Sequence, residues 1–302
     1  MHRITRYALR ALAGTAAVGA ACFAYAAAYE VKAYRLRRFD VPVLAPGSRP
    51  LRILHLSDLH MVPGQWDKVE WVRGLAGLEP DLVVSTGDNF SHPDAVPIAV
   101  EAYGPLLDLP GAFVFGSNDY FAPVPRNPTR YITQRGRRPT IVPSAPRLPT
   151  EDLRKEFTDA GWLDLNNALG ELTVDERRLT FAGVDDPHIR WDRYDQVAGP
   201  ADATADVTIG VAHAPYTRVL DAMEADGYRL ILAGHTHGGQ VCVPLIGALV
   251  TNCDLDPGRA KGLSRWGESW LHVSAGLGTS PYAPYRFACY PEATLLTLRA
   301  AA

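Results

Sequence analysis

Short apolar runs that stop at a glycine or a polar cluster recur along this chain. Leu51-Arg-Ile-Leu-His-Leu-Ser-Asp-Leu-His60 reads as a buried strand with polar residues at its C-terminal end. Residues 65–78 follow with helical spacing of Trp66, Val69, Val72 and Leu75, and a second strand over 81–86 gives way to Gly87-Asp88-Asn89. Residues 94–107 read as a helix, and 111–115 as a third strand ending in Gly116-Ser117-Asn118-Asp119. After a break, 151–160 is helical and 161–165 extended. The runs 171–174 and 178–182, joined through Asp175-Glu176, predict a hairpin, which Gly183-Val-Asp-Asp-Pro-His188 closes with a polar cluster. A strand over 206–212 ends in His213, a helix covers 216–225, and the apolar run 228–233 stops at Gly234-His-Thr-His-Gly-Gly-Gln240. Residues 270–274 and 293–298 read as the last strands of a second sheet. Such alternation predicts α/β layering, with polar groups gathered at strand C-terminal ends.

Two segments break the pattern. Residues 11–29 carry no charge and follow Arg3, Arg6 and Arg10, which predicts an uncleaved membrane anchor over 1–40 ahead of one domain over 41–302. A cleaved signal peptide is the rival, since Ala24-Tyr25-Ala26 has a small-X-small form. Lys32, Arg35, Arg37 and Arg38 balance the charge before the apolar run, so charge leaves the orientation open; the extracytoplasmic side is the expectation. A Pro-punctuated stretch, 41–50, reads as a connector. The second break, 121–149, is rich in proline and holds six arginines and no acidic residue. It reads either as a solvated insertion or as an anion-binding lid, with Arg135, Arg137 and Arg138 as candidate substrate contacts, because guanidinium suits phosphate bidentately.

Composition narrows the classes. With 302 residues, 47% hydrophobic, the chain can bury a large core, and its net charge of −3 gives no general case for nucleic acid. Four cysteines (Cys22, Cys242, Cys253, Cys289) lie at no zinc-ribbon spacing and are expected as free thiols, Cys242 to Cys253 being the shortest closure.

The polar strand ends carry the chemistry. His235 and His237 are two apart, as are Asp58 and His60, so each pair projects to one face of an extended segment. With Asp88, Asn118 and His213 they make seven candidate ligands in which carboxylates, an amide and imidazoles mix, a set that suits manganese, iron or zinc. Any one of them alone reads as structural. All of them in order, each at a strand end, indicates two ions sharing a carboxylate.

The order Asp-X-His, Gly-Asp, Gly-(Asn), His, Gly-His-X-His from Leu51 to Gln240 resembles the calcineurin-like metallophosphoesterase superfamily, closest in wording to bacterial membrane-associated members. That resemblance implies a four-layer αββα sandwich. It also implies that Asp58, His60, Asp88 and His237 hold one divalent ion and Asp88, Asn118, His213 and His235 a second. Water activated between two cations would attack a phosphate ester or pyrophosphate in line. The third motif departs from the family's Gly-Asn-His-(Asp/Glu). Shifting it by one residue keeps Asn118 rather than Ser117 as ligand, since an amide oxygen ligates better than a neutral hydroxyl. The usual leaving-group histidine is then absent, and Asp119 and His92 become the catalytic candidates, with His188 a further imidazole. The expected substrate is a phosphorylated small molecule, lipid-linked species or nucleotide sugar, and nucleic acid is not expected. The alternative is a weakly catalytic metal-binding scaffold, raised by the missing histidine and countered by the intact ligand set.

Overall fold

Strands buried on both faces lack polar alternation, and the central runs of this chain read that way for that reason. The computed structural model describes residues 2–125 and 145–301. The first sheet has the order β1 (Arg35–Leu44), β14 (Glu292–Ala300), β2 (Leu51–Leu56), β3 (Leu82–Ser85), β4 (Gly111–Phe113), β5 (Leu163–Asp164). The second runs β12 (Gly262–Trp266), β13 (Ser269–Val273), β9 (Leu230–Ala233), β8 (Val207–Val211), β7 (Arg177–Gly183), β6 (Ala168–Val174). A short antiparallel pair, β10 (Cys242–Val243) and β11 (Gly247–Ala248), stands apart. The helices are α1 (His2–Ala28), α2 (Trp66–Arg73), α3 (Val96–Tyr103), α4 (Ser117–Tyr120), α5 (Thr150–Asp159) and α6 (Thr217–Ala225).

Strands β2 to β5 are parallel, as are β7, β8, β9 and β13. The sheets pack face to face: Ile53, Val84 and Val114 of the first meet Phe181, Ile209 and Leu232 of the second. On the first sheet's outer face Leu54, Val83 and Phe113 pack with Val69, Ile98 and Phe157 from α2, α3 and α5. On the second's, Leu220 and Met223 of α6 cover Ala212, Ile231 and Leu271. The result is the four-layer αββα sandwich.

Three placements differ from the sequence expectation. Residues 293–298 belong to the first sheet, not the second: β14 inserts between β1 and β2, parallel to one and antiparallel to the other. Part of the presumed connector is strand, because β1 runs across residue 40 as an edge strand. Its charged outer half is exposed, and an edge tolerates Pro42. The two long helices are shorter, α2 and α3 running into 3₁₀ turns at Gly74–Leu78 and Gly104–Asp108. All four cysteines are free thiols.

His55, which points away from the polar strand end, joins the sheets. Its Nδ1 lies 2.8 Å from His272 Nδ1 on β13, and its Nε2 is 2.9 Å from Thr86 Oγ1. Both rings are fully buried, which pushes His55 well below its usual range and His272 down to about 3. Neutral imidazoles can pair donor to acceptor, which satisfies both nitrogens of His55 and, of the two rings, leaves only His272 Nε2 buried without a partner.

Candidate metal centre

Parallel strands end on the same edge of their sheets, and the predicted ligands collect in the loops leaving those ends. Asp58 and His60 follow β2, Asp88 follows β3, His213 follows β8, and His235 and His237 follow β9. They do not converge by the two-residue alternation of a strand. Asp58, His60, Asp88, His235 and His237 all have positive φ, between 44° and 69°. Such left-handed conformations cost non-glycine residues about 1–3 kcal/mol each and concentrate at functional sites. Two glycines make room for the convergence. A Cβ on Gly234 would lie 1.8 Å from Ser57 Oγ, and one on Gly116 would lie 2.3 Å from Asp88 Oδ1.

The side-chain geometry offers groups that could hold a metal ion. Asp88 Oδ2 is 3.5 Å from His60 Nε2 and 3.5 Å from His213 Nε2, the position of a bridging carboxylate. Asp58 Oδ1 is 3.6 Å from His237 Nε2 and 4.0 Å from His60 Nε2. Two overlapping ligand groups result: Asp58, His60, His237 and Asp58, Asp88, His213. A cation's fit is supported by Asp58 Oδ1, buried with no hydrogen-bond partner. Its other oxygen accepts from Ser57 Oγ at 2.5 Å and His235 N at 3.0 Å. His60 Nε2 and His237 Nε2 face one another at 3.2 Å, and His213 Nε2 and His235 Nδ1 at 3.3 Å. Lone pairs turned inward in this way are what a shared cation would satisfy.

Outer contacts set the ring tautomers. His213 Nδ1 lies 2.6 Å from Thr86 O, and His237 Nδ1 lies 3.2 Å from Gly278 O. A carbonyl accepts only, so His213 Nδ1 carries a proton and its Nε2 faces the centre, whereas His237 Nδ1 lies between Gly278 O and Arg286 Nη2, the latter at 3.3 Å. His235 is reversed, with Nε2 at 3.3 Å from Asn252 O and Nδ1 inward. His60 Nδ1 meets Ser91 Oγ at 2.8 Å. Burial, with the neighbouring cationic groups, lowers His60 to about 4, His235 to about 3 and His237 well below its usual range, and keeps them neutral as ligation requires. Burial pushes Asp58 up to about 6. His213 and Asp88 go the other way: despite burial, their mutual attraction holds His213 well above its usual range and Asp88 well below.

At the third motif Asn118 contacts Asp88. Asn118 Nδ2 lies 2.6 Å from Asp88 Oδ2 and its backbone N donates to Asp88 Oδ1 at 2.8 Å. A half-turn of that amide presents its oxygen at the same place. Asp119 is fully buried and accepts from the backbone N of Asp88 and of Asn89, each at 2.7 Å, and of Gly116 at 2.9 Å. Burial and then the Asp88 charge push it up to about 7. Its geometry is that of a brace for the Asp88 loop, not of a group at the reacting atoms. His92 is half-exposed and is engaged with Asp94, accepting from its backbone N at 3.1 Å. Arg135, Arg137 and Arg138 lie outside the described residues.

His188, already a candidate from the sequence, and two residues that the sequence reading did not single out complete the surroundings. His188, from the polar cluster after β7, places its ring 4.3 Å from that of His235, with Nδ1 at 3.1 Å from Tyr216 Oη. Asp186 is buried, and its Oδ1 accepts from His188 N at 2.7 Å. Arg286, fully buried, donates to Ala275 O and Gly278 O, both at 2.7 Å, and so holds the loop on which His237 leans. The Gly183–His188 cluster signalled the first two; Arg286 has no motif around it.

Comparison with known proteins agrees with this geometry. A sequence model described as calcineurin-like phosphoesterase matches residues 51–239, and the chain belongs to that family. It is a metal-dependent phosphoric ester hydrolase by that membership. The phosphodiesterase YaeI of Escherichia coli (strain K12) is 27% identical over 297 residues, 96% of this chain and 97% of its own. YpbG of Bacillus subtilis (strain 168), uncharacterized, is 27% identical over 292 residues, 95% of this chain and 96% of its own. A Bos taurus transmembrane protein with a metallophosphoesterase domain is 30% identical over 276 residues, 87% of this chain but 56% of its own length. Its name and the apolar α1 together suggest membrane association.

Proposed function

We propose that the chain hydrolyses a phosphodiester, phosphomonoester or pyrophosphate with two divalent cations, manganese, iron or zinc. Asp58, His60, Asp88 and His237 would hold one, and Asp88, Asn118, His213 and His235 the other. The observation that carries this reading is Asp88 Oδ2, equidistant at 3.5 Å from an imidazole of each ligand group. When bound, the cations would supply charge for the phosphoryl oxygens and a water acidic enough to deprotonate near neutral pH. The protein's own groups do the rest: carbonyls orient the His213, His235 and His237 imidazoles, and Asp119 braces the loop that presents Asp88.

No imidazole stands at the third motif, so protonation of the leaving group falls to His188, held by Tyr216 beside His235. The anchor makes a lipid-linked or nucleotide-sugar substrate the favoured class, on the extracytoplasmic side, with Arg135, Arg137 and Arg138 as anion contacts. A metal-binding scaffold would be free to lose ligands, and the convergence of all seven speaks against it. Manganese-dependent hydrolysis of bis(p-nitrophenyl) phosphate by the full chain tests the reading. Asp88→Ala and His235→Ala should each lower kcat by at least about 100-fold; activity retained in both would overturn it.

A further inference from the structure

The turn joining β10 to β11 has the wrong residues for water. Pro244-Leu245-Ile246-Gly247 puts two aliphatic side chains at its tip, where turns in water favour Gly, Asn and Asp. Leu245 is fully exposed and Ile246 is 75% exposed, with Val241 and Leu249 about half-exposed at the base. Leu245 also adopts φ 69°, a left-handed conformation unfavourable for leucine, and Ile246 N closes the turn onto Val243 O at 3.0 Å. An apolar tip held this firmly outward implies an apolar occupant.

The hairpin is laced to the segment 283–287. Cys242 N donates to Phe287 O at 2.8 Å, and Gln240 Nε2 donates to Ala283 O at 2.9 Å. That same segment docks on the last turns of α1. Arg286 N donates to Ala26 O at 3.2 Å, Tyr285 packs on Phe23 with ring centroids 5.8 Å apart, and Tyr25 Oη meets Tyr290 Oη at 3.1 Å. Tyr282, on the same stretch, is 57% exposed. Tyrosines gather where a span meets the headgroup layer, and residues 12–32 are long and apolar enough to span.

We propose that the β10–β11 tip, through Leu245 and Ile246, inserts into the interfacial layer of the bilayer that α1 enters, making a second, monotopic contact. Continuity with the aromatic collar at the end of α1 selects that bilayer over a protein partner. Because β10 begins a few residues after His237, this contact holds the ligand cluster beside the headgroups. If the phosphoesterase reading on which this consequence rests is right, the scissile phosphoryl group belongs to a lipid of that same bilayer.

A benzophenone amino acid at Leu245, in the full chain reconstituted into phosphatidylcholine–phosphatidylglycerol nanodiscs, tests the contact. Glu268, exposed at the opposite ends of the strands, is the control. Irradiation should give phospholipid adducts by mass spectrometry at 245 and none at 268. Capture of a second protein chain at 245, no lipid adduct there, or equal lipid capture at both positions would overturn the proposal. In a second arm, the Leu245→Asp, Ile246→Asp pair should leave hydrolysis of soluble bis(p-nitrophenyl) phosphate unchanged, while lipid capture by the same probe placed at Leu249 falls roughly ten-fold. Unreduced capture there would also count against insertion. Lipid adducts at 245 with no diester hydrolysis by the wild-type chain would remove the phosphoesterase reading and leave the docking surface standing.

Discussion

Asp119 and His188 separate two ways in which a side chain can serve this centre. Asp119 spends its carboxylate on three backbone N–H groups and acts through the placement of Asp88. Asp119→Asn keeps the shape but leaves an amide N–H₂ facing donors, so the loop should loosen. Manganese affinity is expected to fall about 10–100-fold, with kcat at saturating metal changed far less. A titration of activity against manganese reads both; loss of kcat without loss of affinity would place Asp119 at the reacting atoms instead. His188 has the opposite signature. General-acid help matters in proportion to the basicity of the leaving group. His188→Ala should therefore cost about 100-fold in kcat on an alkyl phosphodiester and little on a nitrophenyl one. Equal losses on both would make the ring a packing partner of His235 only.

At the scale of elements, the parallel core strands were legible because each is an apolar run closed by a polar cluster. What the pattern could not carry was partnership between distant segments. β14 reads as a strand, yet nothing in Ala293-Thr-Leu-Leu-Thr-Leu298 says that it lies between β1 and β2. β1 was hidden by Arg35, Arg37, Arg38 and Pro42, which an exposed edge strand tolerates and a buried one would not. The candidate ligands come from residue type and order, whereas their left-handed backbone and the contacts of Asp119 with the Asp88 loop depend on tertiary structure. His55, polar inside an apolar strand, is explained only by His272 on the facing sheet. That pair has a pH consequence. Both folded values lie below the unfolded value near 6.5, so as pH falls from there the unfolded chain takes up protons first and stability declines. The slope approaches about 1.4 kcal/mol per pH unit for each ring. Denaturant midpoints of the detergent-solubilised chain at pH 7 and pH 5 should therefore differ less in the His55→Leu, His272→Leu double variant than in the parent. An unchanged difference would mean that the acid sensitivity arises elsewhere.

The whole molecule is two sheets pressed together, and the candidate ligands are divided between them. Asp58, His60, Asp88 and Asn118 leave the first sheet; His213, His235 and His237 leave the second. A cation bound by both sets closes the edge of the sandwich at which their strands end. It also relieves inward-facing lone pairs, an unpartnered Asp58 oxygen and the close approach of Asp58 to Asp88. Metal loading should thus stabilise the fold as well as enable the reaction, because the unfolded chain cannot assemble these groups. With free manganese at a hundred times its dissociation constant, the gain is about 2.7 kcal/mol, which raises the thermal midpoint of a domain this large by about 5 °C. Chelation of the purified chain should lower the midpoint by that amount and manganese should restore it. In Asp88→Ala, which removes the carboxylate proposed to serve both cations, the metal response should largely vanish. A parent chain whose midpoint ignores chelator and metal alike would show that the two halves of the cluster do not share a cation.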